Sequence, residues 1–141
     1  MKQYITVEQL LEMSEEQQAR LREWWEPKDA DWFYGTHGGR RGTHFKKEVW
    51  ILSPYTVDSG IYGASLEESP PDEDALPLLS IGQMRELLKS KTPDFDIHRI
   101  DIPCGMPDRN YMIVLKGHYN NLVFDANELA DALWRAVKYI I

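Results

Sequence analysis

A capping side chain followed three positions later by a glutamine or glutamate that reaches back to it occurs four times in this chain. The sites are TVEQ at Thr6, SEEQ at Ser14, SIGQ at Ser80 and DANE at Asp125. Each box fixes where a helix begins, so the chain is punctuated before any composition is counted. Apolar residues at helical spacing follow every box. Leu10, Leu11 and Met13 make a short first helix, and Leu21, Trp24 and Trp25 line a second. Ile81, Met84, Leu87 and Leu88 line a third. ELADALWRAVKYII places Leu129, Leu133, Val137 and Ile140 on one face with Trp134 beside it, which predicts a helix over residues 126–139.

Strand signals lie between the helices. EVWILS (48–53) is rich in branched and aromatic residues, and IHRIDI (97–102) alternates. YMIVLK (111–116) and NLVF (121–124) read as a hairpin across GHYN. No regular strand-helix alternation occurs. The expected architecture is therefore α+β, with a small, mostly antiparallel sheet and the N-terminal, middle and C-terminal helices packed on it. Each helix has a single apolar face to cover, so the expectation places the strands at 49–52 and 112–115 in one sheet. A chain of 141 residues with 43% hydrophobic residues reads as a single domain over 1–141. Residues 66–77, LEESPPDEDALP, combine acids with prolines and read as an exposed, solvated loop.

Charge narrows the function classes. A net charge of −7 argues against direct nucleic-acid binding and against a membrane surface, because both partners are polyanionic. No apolar run approaches the ~20 residues of a membrane-spanning helix, and the opening MKQYITVEQLLEMSEE has no signal-peptide core. The single cysteine, Cys104, has no disulfide partner within the chain. A cytoplasmic protein is the expectation. The charge is uneven, however: between Gly35 and Lys47 the basic residues Arg40, Arg41, Lys46 and Lys47 occur with no acid among them.

LREWWEP near the start, ALPLLSIGQMRELL in the middle and ELADALWRAVK at the end together resemble a group of small proteins carried by Gram-positive bacteria and their phages and prophages. The resemblance covers helix and core elements. It implies a shared architecture and a mobile-element origin, a bacterial host cell as the setting, and no particular activity. The segment from Gly35 to Gly63 and the strand region near Cys104 lie outside it, so a specific function is expected to reside there.

The densest chemistry is in residues 20–47, RLREWWEPKDADWFYGTHGGRRGTHFKK. The glycines of GTHGGRRG offer backbone amides for an anion, and Arg40 and Arg41 offer forked donors suited to phosphate or carboxylate. The lysine and hydroxyl residue of a phosphate-binding P-loop are missing after the last glycine, and no dinucleotide fingerprint is present. A hairpin loop between WFY and EVWILS accounts for the glycines equally well. In an extended WFY segment, Trp32 and Tyr34 point away from Phe33. The candidate ligand-binding residues are Trp25, Trp32, Tyr34, His37, Arg40, Arg41 and His44, a stacking surface beside cationic donors for a small anionic, nucleotide-like ligand.

Other chemistries find less support. His37, His44, His98 and His118 show no zinc-type spacing, so no metal site and no cofactor are expected. Asp29 with Asp31, and Asp94 with Asp96, offer paired carboxylates, but beside prolines they read as turn formers. No hydrolase signature occurs, and the balance leans away from an enzyme, with a small hydrolase kept as one alternative. The other alternative is an acidic inhibitor or adaptor that uses Glu67, Glu68, Asp72, Glu73 and Asp74 to dock on a basic host protein. A homo-oligomer is compatible with either binding reading.

Overall fold

A computed structural model describes residues 1–36, 47–53, 63–64, 70–92, 94–99, 110–117 and 120–141. The class is α+β, as expected. The strands, however, fall into two sheets and the chain into two compact units, Thr6–Leu78 and Met1–Ile5 with Leu79–Ile141. The single sheet expected to hold 49–52 and 112–115 together is thereby corrected. Amphipathic spacing says which face of a strand is covered, but not which strands are neighbours.

The unit Thr6–Leu78 begins with two capped helices, α1 (Val7–Leu11) and α2 (Glu15–Trp24). Both boxes form as read: the side chains of Thr6 and Ser14 accept from the amides of Gln9 and Gln17, whose own side chains return to the cap amides. The sheet of this unit has the order β3-β2-β1-β4, with β1 Trp32–Gly35, β2 Glu48–Leu52, β3 Gly63–Ala64 and β4 Leu76–Pro77. All its pairings are antiparallel except β2 with β3. The segment 66–77 is therefore not wholly solvated: Ala75 and Leu76 are buried and Leu76 is part of β4. Its apolar end pairs with β1, which the acidic residues before it had masked in sequence.

Strand β1 shows why its residues were chosen. Its burial alternates, with Phe33 and Gly35 inside and Trp32 and Tyr34 half-buried on the other face. Phe33, Trp50, Leu52, Ala75 and Trp25 form one apolar cluster, with Trp24 packed at its margin. Gly35 has φ +151° and passes so close to Ala75 that an added Cβ would stand 2.9 Å from its Cα. The Gly35 carbonyl also accepts from the buried Trp50 indole at 3.0 Å. Gly35→Ala should therefore cost about 1 to 3 kcal/mol in urea unfolding, because both backbone strain and a backbone contact oppose the methyl group. A loss within about 0.5 kcal/mol, ordinary for a tolerant surface site, would contradict this placement.

The unit Met1–Ile5 with Leu79–Ile141 contains α3 (Ile81–Lys91), the antiparallel sheet β5-β6-β7 and α4 (Leu129–Ile140). Its strands are β5 Phe95–Arg99, β6 Tyr111–Leu115 and β7 Leu122–Ala126. The N-terminal segment joins it through main-chain bonds from Ile5 to Leu79 at 3.1 Å and from Ile81 to Gln3 at 3.0 Å. The Ser80 box forms, and α3 buries Met84, Leu87 and Leu88 as its spacing predicts.

The fourth box does not form. Asp125 lies in β7 opposite Met112, and α4 starts only after Glu128, which caps without a side-chain hydrogen bond. Strand pairing claims Asp125 before it can cap, so the helix begins three residues later than the motif implies. α4 then buries Ala130, Leu133, Trp134 and Val137 and packs on α3, β6 and β7.

Candidate functional site

The site candidate is built on the β1-β2 hairpin. Directly paired residues share a face of a sheet, so the register Trp32↔Ile51, Tyr34↔Val49 and Tyr34↔Leu76 puts these five side chains together. Leu76 is buried, Trp32, Tyr34 and Ile51 are half-buried, and Val49 is exposed. The result is an aromatic and aliphatic face that still meets solvent. Val49 and Ile51 were absent from the candidate residues read in sequence. The signal for them was the hairpin itself, since antiparallel pairing of WFYG with EVWIL brings them opposite the aromatics.

Trp25 does not belong to this face. It is 8% exposed and packs on Phe33 with ring centroids 6.0 Å apart, on the opposite side of the sheet. Its indole donates to Asp31 Oδ2 at 2.9 Å, and the same oxygen accepts from the Lys28 amide at 3.0 Å. Asp31 is thus the turn former that its neighbours implied, holding the link between α2 and β1. Of the adjacent tryptophans, Trp24 takes the margin and Trp25 the interior.

The loop between β1 and β2 leaves and re-enters the sheet at Gly35 and Glu48, which are paired. Four of the residues named in sequence, His37, Arg40, Arg41 and His44, lie outside the described residues. The base of the loop is tied to the acidic segment. Thr36 Oγ1 bonds to the Asp72 carboxylate, the Asp72 amide donates to the Thr36 carbonyl at 2.9 Å, and Lys47 Nζ lies 3.5 Å from Asp74. The exposed Lys47 pair adds little stability, but it brings an acid beside the cationic run.

The remaining carboxylate pair is accounted for elsewhere. Lys116 Nζ lies 3.0 Å from Asp96 and 3.6 Å from Asp94. The hydrogen bond that the Lys116 ammonium donates to Asp96, and then the charges of Asp94 and Asp96, raise its pKa above the ordinary value. Among the described residues no group of three His, Cys, Asp or Glu side chains is placed to hold a metal, and no helix is long and apolar enough to cross a membrane. No protein-family model matches the chain, and neither a curated protein nor a solved structure matches it.

Proposed function

We propose that this chain is a non-catalytic binding protein that holds a small, flat, nucleotide-like anion between the aromatic face of β1 and the arginines of the β1-β2 loop. The observation that carries the reading is the shared, half-buried face of Trp32 and Tyr34. Side chains two apart on a strand stand roughly 7 Å from each other. That is about twice the ~3.5 Å contact distance between carbon atoms, so one planar ring fits between two aromatic side chains. Arg40 and Arg41, in the loop that joins the same two strands, would supply the donors for phosphate or carboxylate. For a phage-type accessory protein, such binding would suit sequestering a host defence signal.

The acidic inhibitor reading has less to present to a basic partner. Two of its acids, Asp72 and Asp74, already face Thr36 and Lys47 within the chain. Calorimetric titration with nucleotides and cyclic nucleotides discriminates the two. Arg40→Ala with Arg41→Ala should abolish nucleotide binding, and a thermal midpoint within a few degrees of the wild type would mark the loss as one of binding and not of folding. The paired lysine substitutions keep charge but lose the fork, and should weaken binding clearly if the contact is bidentate. No heat with any small anion, together with recovery of a basic host protein on the wild type, would replace this reading with the acidic one.

A further inference from the structure

The second unit holds a separate opening. α4 lies over β6 and β7, and α3 packs against α4. On β5, Phe95 and Ile97 pair with Leu115 and Ile113, so they share the sheet face that those residues bury. Yet Phe95 and Ile97 are themselves only half-buried. Beside them runs an open cleft of about 530 Å³, with Arg85, Glu86 and Lys89 of α3 on one side and Phe95, Asp96 and Ile97 of β5 on the other. That volume falls within the roughly 300 to 1,000 Å³ of ordinary ligand sites.

Backbone and charge together select the occupant. Among the described residues β5 has β6 as its only strand neighbour, so its outer edge presents main-chain donors and acceptors with no ladder to satisfy them. Such an edge beside a helix suits an added extended strand, whose alternate side chains point into the cleft. Arg85 and Lys89 stand one helical turn apart on the wall, and neither has an ion-pair partner among the described residues. Asp96 is ion-paired at 3.0 Å with Lys116, which Asp94 shares. Among the charged side chains that line the cleft without an ion pair in the described residues there are thus two cations, Arg85 and Lys89, and one acid, Glu86.

We propose that this cleft takes an extended acidic peptide of a partner protein, which adds as a strand beside β5. Its apolar side chains rest on Phe95 and Ile97, and its carboxylates reach Arg85 and Lys89. The site belongs to the unit that does not contain Trp32 and Tyr34, so it stands or falls independently of nucleotide binding.

The test is a titration of the full chain, followed by amide chemical shifts, with a short capped peptide that carries valines and then glutamates at every second position, on one face of the strand, with threonine between them. Two controls accompany it, one with lysine for glutamate and one with prolines that cannot pair. The expected result is saturable binding of the acidic peptide alone, with the largest shifts along Phe95–Arg99 and α3. Arg85→Glu with Lys89→Glu, both exposed positions, should lower affinity about tenfold and turn preference toward the lysine peptide. Arg85→Gln with Lys89→Gln should give a smaller loss in the same direction, and covers the case in which the charge reversal unfolds the chain. Absence of binding, shifts away from β5, or affinity indifferent to both charge variants would overturn the proposal.

Discussion

Phe33→Ala is expected to destabilise the protein by about 3 to 5 kcal/mol, the range for truncating a buried phenylalanine. Phe33 is fully buried at the middle of the cluster formed with Trp25, Trp50, Leu52 and Ala75. It also pairs with Trp50 on one side and Pro77 on the other, so its ring lies where β1 joins both neighbouring strands. Removing it leaves a void walled by large rigid rings, which collapse poorly and so retain much of the cavity cost. Phe33→Leu refills most of that volume and should lose less. Urea unfolding followed by tryptophan fluorescence reads the effect directly, since Trp25 and Trp50 border the void. A loss near 1 kcal/mol would mean that β1 presents its other face to the interior.

Leu133→Ala is expected to cost about 2 to 5 kcal/mol. The residue is fully buried on α4, at the centre of the stripe formed by Ala130, Trp134 and Val137. Its neighbours on the stripe are small or rigid, so little can move in to replace it. Leu133→Met keeps the volume and should stay under about 1.5 kcal/mol. Trp134 beside it is structural in the same sense: it is 1% exposed, and its buried Nε1 has no acceptor among the described residues. A donor left unpaired is tolerated because the ring's apolar bulk fills the interior. If Leu133→Ala changed stability by less than about 0.5 kcal/mol, the buried face of α4 would have been assigned wrongly.

Local signals carried much of this fold. Thr6, Ser14 and Ser80 cap the helices their motifs announce, because a cap is decided within four residues of chain. The strand cores at 48–52 and 111–115 also lie where branched and aromatic residues cluster. Long-range choices were less legible. Asp125 has the composition of a cap and the position of a strand residue, and pairing with Met112 decides between them. The division of strands between two sheets has no local signature at all.

The candidate site shows the same mixture of local and long-range signals. Alternation in WFYG gave the opposite directions of Phe33 and Trp32/Tyr34, which the burial pattern repeats. Trp25 adjoins the other aromatics in sequence, yet the α2-β1 turn through Asp31 carries it into the interior. Val49 and Ile51 became visible only with the register. Arg85 and Lys89 look in sequence like the solvated face of an amphipathic helix, and only the cleft beside β5 gives them a further use.

The most direct measurement of the central claim is a nucleotide titration observed residue by residue, with the indole of Trp32 and the amides of β1 and β2 as reporters. Binding at the proposed face predicts saturable shifts at Trp32, Tyr34, Val49 and Ile51, with Trp25 and Trp134 nearly still, and their loss in Trp32→Ala. Salt near 1 M, where the Debye length falls to about 3 Å, should weaken affinity without moving the site, since stacking persists when charge attraction is screened. Saturable shifts confined to α3 and β5, or none for any nucleotide at millimolar concentration, would contradict it.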